Sequence, residues 1–257
     1  MSTHIRWNGG VQEEATDILR RDGGMVVSPT KVGYVVMASD REGLERKFAA
    51  KNRARTKPAV VLCGSLDELR ELAELNDEIE AFYERHWDDD ILLGCILPWS
   101  EHGRSLLSED AAELATDGRG TSCFVVRFGT PGELIARDLW ERDRTIVFAS
   151  SANPSGRGNR GLVGGIGDAI DDAADLVIEA DDYVRGIQPE ASLETRYEQG
   201  VMVSFVDGEG RLVPEQHGER SVTPAPTVIR GGLDVDRILA RLARSFPSWD
   251  YRHGEYY

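Results

Sequence analysis

Short apolar runs rich in β-branched residues alternate along this chain with stretches of helical periodicity. That alternation limits the fold more than any other feature. "GMVVS" (24–28) and "GYVVMAS" (33–39) read as strands bounded by turn residues. "REGLERKFAAKN" (41–52) reads as a helix, with Leu44 and Phe48 one turn apart, and "PAVVLCG" (58–64) as a buried strand. Residues 65–87 read as one long helix, opened by the capping box Ser65–Glu68 and carrying Leu69, Leu72, Ile79 and Phe82 at helical spacing. Further strands are expected at 91–99, 122–128, 145–150, 174–180 and 200–207, with helices at 132–141 and 232–246. Near-continuous apolar strands between helices predict an α/β fold, a sheet covered by helices on at least one face. No Gly/Ser/Pro linker divides the chain, so residues 1–257 are expected to form a single domain. "PEQHGERSVTPAP" (214–226) reads as a surface insertion, and 246–257 as a passive aromatic and polar tail.

Composition narrows the class of function. No apolar run approaches the roughly 20 residues of a membrane helix, and "MSTHIRWNGG" has no apolar signal core. Cys63, Cys95 and Cys123 are odd in number and lie in or beside apolar runs, which fits reduced core residues of a cytoplasmic protein. The net charge of −15 disfavours direct nucleic-acid binding but leaves room for a small anionic ligand in a locally basic pocket. The acid-rich blocks at 86–90 and 167–182 read as solvated faces, no His/Cys/Asp cluster has metal-ligand spacing, and the five histidines are expected at the surface.

Against that acidic background, "KNRARTKPAVVL" (51–62) gathers Lys51, Arg53, Arg55 and Lys57 between a helix end and a buried strand. Cations at a helix C-terminus offset its dipole. The same forked and point charges also suit a phosphate clamp. "SSANPSG" (150–156) follows the apolar run "TIVFA" and opens at once into hydroxyls, an amide and glycine, which allow close approach of an anion to backbone N–H groups. The alternative is a plain turn, for which Asn-Pro-Ser-Gly is good chemistry. "PTKVGY" (29–34) supplies a turn between the first two apolar strands.

Taken in this order, the stretches resemble the YrdC-like family, the threonylcarbamoyl-AMP synthases, over roughly residues 8–245. The family's "PT…YG" turn is matched by "PTKVGY", its K-x-R…K-P clamp by "KNRARTKPAV" (51–60) and its S-A-N-x-S-G loop by "SSANPSG". "FVVRFGTP" (124–131) and "PTVIRGGLDVDRIL" (226–239) resemble its later arginine-bearing segments. The resemblance implies a twisted mixed sheet flanked by helices around a basic cavity. It further implies ATP with Mg²⁺, bicarbonate as co-substrate, an amino acid as acceptor, and a downstream carbamoyl-transfer protein as partner. By that likeness Lys51 and Arg53 are catalytic. Lys57, Arg127, Ser150, Ser151, Asn153, Ser155 and Arg230 face the nucleotide, and Thr30, Lys31 and Tyr34 face the amino acid.

The chain also departs from the family pattern. Lys31 stands where the family has an acidic or polar residue, Val35 replaces a glycine, Ala54 a proline, and "HWDDDILL" (86–93) a proline-glycine turn. With Lys31 and the aspartates on the rim, the expected acceptor is more polar or larger than threonine. A YrdC-like enzyme acting on another amine or adenylate, and a non-catalytic nucleotide- or RNA-binding module, are the alternatives.

Overall fold

The computed structural model of the protein describes residues 2–52, 57–154, 158, 160–192 and 196–252. Its strands are β1 (Thr3–Arg6), β2 (Val26–Thr30), β3 (Gly33–Ala38), β4 (Val60–Leu62), β5 (Leu93–Pro98), β6 (Thr121–Val126), β7 (Val147–Ser151), β8 (Leu176–Glu179), β9 (Met202–Ser204), β10 (Thr227–Arg230) and β11 (Asp250–Tyr251). They form one 11-stranded mixed sheet in the order β1-β8-β2-β3-β7-β4-β6-β5-β9-β10-β11. The apolar runs land in its middle because those strands are buried on both faces: β2 and β5 are buried along their whole length.

Side-chain alternation sorts the core onto the two faces. On one face Val61, Cys63, Phe124, Val126, Leu93, Cys95, Phe148 and Val203 meet Leu44 and Phe48 of the helix Arg41–Lys51, Leu69 and Leu72, Phe82 and Tyr83 of the helix Asp77–Asp88, and Leu242 of the C-terminal helix Val235–Ser245. On the other face Val26, Met37 and Val147 are covered by Ala15 and Leu19 of the helix Glu13–Leu19 and by Ile135, Ala136 and Leu139 of the helix Thr130–Asp143. Beyond that second helix the face carries only a small cluster of Ile96, Cys123, Met202, Val206 and Ile229, with Val60 and Val125 half-buried against it. A cavity opens where the helical cover ends.

Residues 65–87 do not form one helix. They form the helices Leu66–Leu72 and Asp77–Asp88. Ala73 turns to extended backbone (φ −104, ψ 147) and bridges to Trp99, and Asn76 then caps the second helix by accepting from the Ile79 amide at 2.9 Å. Asn76 was the available signal, since Asn is a preferred N-cap. The expected surface insertion is tied down on two sides: the Glu78 carboxylate accepts from the amides of Gln216 and His217, both at 2.7 Å, and the buried Gln216 side chain donates to the Ser248 carbonyl at 2.6 Å and accepts from the Ser248 amide at 2.7 Å. The described cysteines are free and buried as expected, and burial pushes the Cys123 thiol up to about 12. Among the described residues no helix is long and apolar enough to cross a membrane.

His86 departs from its expected surface position. It is fully buried, its Nδ1 lies 2.6 Å from the Phe82 carbonyl, and its ring packs on Phe82 at 4.3 Å. Burial pulls its pKa down to about 4. The native state therefore holds His86 neutral while an unfolded chain takes up a proton below its ordinary value near 6.5. Stability falls as pH drops from about 6.5 to about 4, and this group adds no further change below that. We expect His86→Leu to flatten this limb, removing about 2–3 kcal/mol of the pH dependence. Urea midpoints of parent and variant measured from pH 7 to pH 4 check this, and parallel curves would contradict it.

Candidate active site

The cavity measures about 370 Å³. Its floor is the uncovered sheet face: Val35 of β3, Ala149 of β7, Val60 and Leu62 of β4, Val125 of β6 and Met202 of β9. Its polar rim is built from four places. Thr30 comes from the end of β2, Lys51 and Lys57 from either side of the helix end, Ser151 and Asn153 from the end of β7, and Arg230 from the end of β10. The described lining contains Lys51, Lys57 and Arg230 but no Asp or Glu, in a chain of net charge −15. That local excess of positive charge over an apolar floor favours a ligand with an anionic end and a less polar body.

The helix Arg41–Lys51 ends at Asn52 in a left-handed cap (φ 47), leaving Lys51 only 2% exposed. Its Nζ donates to the carbonyl of Ser151 and lies 3.3 Å from the Ser151 hydroxyl. The loop after β7 is thus tied to the cation of the preceding helix. It is also tied to β3, because the Ala152 amide donates to the Tyr34 carbonyl at 2.7 Å. Asn153 turns inward, 7% exposed, its amide group donating to the Pro154 carbonyl at 3.0 Å. Arg230 sits just beyond a register shift in β10, its Nε donating to the Gly200 carbonyl at 2.8 Å. Lys57 is exposed at the mouth.

The hydroxyls near the turn are engaged internally. Thr30 Oγ1 donates to the Gly33 carbonyl at 2.8 Å and accepts from the Val32 amide at 3.2 Å, so it closes the β2–β3 turn. Tyr34 Oη donates to Asp181 at 2.8 Å and accepts from the Ala180 amide at 2.9 Å, and burial pushes its pKa well up. Tyr34 therefore offers the cavity a ring wall rather than a hydroxyl.

Two expected site residues lie elsewhere. Lys31 is not among the lining residues. Its ammonium is buried behind the turn, paired with the Asp90 carboxylate at 2.7 Å. Arg127 also points away from the cavity. Its guanidinium stacks on the Trp87 ring at 3.9 Å, and its Nε donates to the Trp87 carbonyl at 2.8 Å. The reason is the backbone: Arg127 takes a left-handed conformation (φ 53) after β6, which breaks the alternation that would have aimed it at the floor. Ser150 borders the cavity, but alternation along β7 turns its side chain to the face opposite Ala149 and Ser151, where its Oγ has no partner among the described residues. Arg53 and Ser155 lie outside the described residues.

The sequence did not flag the wall formed by Phe128, Leu92, Gln199 and Gly200. The segment before β9 is anchored by Tyr197, which is buried and whose ring lies on Gly161. A Cβ at Gly161 would come within 2.2 Å of ring carbons, so no larger residue fits there. No periodicity marks such a contact.

The family described as telomere recombination, covering Sua5, YciO and YrdC, matches residues 18–190. None of the curated proteins matches the chain. Among solved structures, a hypothetical protein of Streptococcus mutans UA159, smu.1377c, is 56% identical over 100% of both chains, with a TM-score of 0.94. E. coli YciO superimposes with a TM-score of 0.64 at 18% identity, covering 91% of this chain and 97% of its own. P. abyssi Sua5, solved with L-threonine, superimposes with a TM-score of 0.60 at 19% identity over 94% of this chain, but this chain spans only 61% of its length. The twisted mixed sheet flanked by helices is therefore the fold of these proteins, and the chain belongs to the Sua5/YciO/YrdC family.

Proposed function

We propose that the protein joins an amino acid, bicarbonate and ATP into an acyl-adenylate of the threonylcarbamoyl-AMP type, as in the synthesis of tRNA threonylcarbamoyladenosine. The amine adds to bicarbonate with loss of water to give a carbamate. A carbamate oxygen then attacks the α-phosphorus of ATP, the bond to the β-phosphate oxygen breaks, and pyrophosphate leaves. The observation that carries this reading is the cavity rim, where Lys51, Ser151 and Asn153 meet Arg230 and Lys57 with no carboxylate among the described lining residues. Such a rim meets the charge that develops on a leaving pyrophosphate with cations already in place. The floor of Val35, Val60, Val125 and Met202 suits the less polar body of the nucleotide and keeps water from the adenylate. Mg²⁺ enters on the nucleotide phosphates. Arg53 joins the clamp by its place in the K-x-R motif.

The acceptor is threonine on this reading. Lys31, whose charge argued for a larger or more polar amine, is spent on Asp90 rather than on the cavity. The L-threonine held by the P. abyssi relative favours the same choice. The adenylate is unstable to water, so a carbamoyl-transfer protein must take it up, and we place both in the cytoplasm.

Purified protein supplied with ATP, Mg²⁺ and bicarbonate is expected to release pyrophosphate with threonine and not with alanine, lysine or glutamate. Release with a different amine would redirect the assignment to another acceptor. No release with any amine, together with no ATP binding by calorimetry, would defeat it.

A further inference from the structure

The wall of the cavity nearest the P-T turn is made by residues of two loops that no strand pairing joins. Thr30 and Val32 belong to the β2–β3 turn, and Phe128 to the crossover after β6. In the sheet, β2 and β6 are separated by β3, β7 and β4. Among the described residues one backbone bond connects them, from the Lys31 amide to the Phe128 carbonyl at 2.8 Å. The approach is close enough that a Cβ on Gly129, itself at φ +133, would lie 2.9 Å from the Lys31 nitrogen.

Behind the wall, away from the cavity, stands a charged cluster. The Lys31 side chain, 8% exposed, pairs with the Asp90 carboxylate at 2.7 Å and donates to the Asp90 carbonyl. Arg127 lies 3.8 Å from the same carboxylate, stacks on Trp87, and approaches Glu133 at 3.6 Å. Glu133 accepts from the Gly129 amide at 2.7 Å and so returns the chain of contacts to the wall. Asp90 and Arg127 both hold φ of 53, a left-handed conformation that is unfavourable for non-glycine residues. Such positions persist where surrounding contacts over-determine them. The Asp90 carboxylate is 67% exposed, so one ion pair alone would count for little. The buried ammonium, held by both the carboxylate and the carbonyl of one residue, is the stronger element.

We propose that Lys31, Asp90 and Arg127 form a brace that sets the separation of Thr30 from Phe128 and thereby the fit of the small substrate at this end of the cavity. They are positioning residues. None of their charged groups reaches the cavity, and each acts through the wall. The inference rests on the proposed function for the identity of that substrate, but not for the existence of the brace. It predicts a separation of effects across the cavity. The Lys51–Asn153 end, built on other elements, keeps its grip on the nucleotide when the brace is cut.

The test uses the full chain and the variants Asp90→Asn, Asp90→Glu and Lys31→Met. Amide hydrogen exchange at residue 31 reports the bond to Phe128 directly and needs no activity. It is expected to speed up about tenfold in Asp90→Asn and Lys31→Met, and to be restored largely in Asp90→Glu. In parallel, the KM for threonine is expected to rise about tenfold in the first two variants, while the Kd for ATP changes less than twofold. Exchange at residue 31 within twofold of the parent in both variants would overturn the brace. Faster exchange with an unchanged KM, or with an equal loss of ATP affinity, would overturn its role in the small-substrate end. If the parent itself neither binds ATP nor turns over, the proposed function fails, and the exchange rates still decide whether the brace exists.

Discussion

Lys51→Met is expected to lower ATP-dependent pyrophosphate release by two to three orders of magnitude, about 3–4 kcal/mol of transition-state stabilisation, with little change in melting temperature. Lys51 is 2% exposed and bonds the Ser151 carbonyl, so its ammonium is both a charge at the polar rim and the tie that positions the loop bearing Ser151 and Asn153. Methionine retains the apolar stem and removes the charge, so packing against the helix end survives. Charge-assisted contacts in a sheltered site are worth roughly twice neutral ones, and here one group makes the contact while it orients two others. Lys57→Met provides the comparison. Lys57 lines the same cavity but is exposed, and screening limits its loss to about tenfold. Steady-state kinetics with ATP varied, alongside calorimetry, checks both. Equal effects at the two lysines would show that bulk positive potential, rather than the Lys51–loop contact, is what the site uses.

The parts of this site that could be read from the sequence are those whose chemistry is local. The hydroxyl–amide loop at 150–154 and the cation at Lys51 are short motifs on either side of strands whose apolar character is plain, and the sheet brings them together at the Lys51–Ser151 contact. Arg230 comes to the same cavity from beyond the stretch that the family match covers. What could not be read was orientation. Arg127 and Ser150 are close to the cavity in sequence terms, yet a left-handed φ turns one away and strand alternation the other. Lys31 and the aspartates of 88–90 are legible as neighbours, and Lys31 does pair with Asp90, but nothing in "PTKVGY" shows that the pair stands behind the wall rather than on the cavity rim. The placement of that pair depends on where the Asp77–Asp88 helix ends, at the Asp89 cap, and helical periodicity does not mark that point. The edge strand β1 left no trace because its residues are mostly exposed and carry no alternating pattern.

Phe246→Ala is expected to destabilise the whole protein by about 3–5 kcal/mol, the range for removing a fully buried aromatic from a packed core. Phe246 is 0% exposed and follows the C-terminal helix Val235–Ser245. Its ring meets Phe205 at 5.0 Å and Phe82 at 5.7 Å, and Phe82 in turn meets Phe205 at 5.8 Å. These rings come from the segment after β10, the segment after β9, and the helix Asp77–Asp88. The family match ends at residue 190, yet Val203, Phe205, Val228, Ile238, Leu242 and Phe246 share one cluster with Leu44, Val61 and Phe124. A tail that merely decorated a finished domain would lose little on truncation of one ring and would unfold separately. A tail that completes the core lowers the stability of every element packed on it. Urea unfolding followed by far-ultraviolet circular dichroism and by tryptophan fluorescence distinguishes the two. With Trp249→Phe introduced in both proteins, fluorescence samples only tryptophans that precede residue 190, among them the buried Trp99 and Trp140. A single transition, shifted equally by both probes in Phe246→Ala, is the expected result, and it would make residues 1–257 one cooperative unit. Two transitions, with only the circular dichroism signal affected by the substitution, would instead mark the segment after residue 190 as an independent unit, and the walls that Gln199, Gly200, Met202 and Arg230 give the cavity would then form by docking rather than with the core.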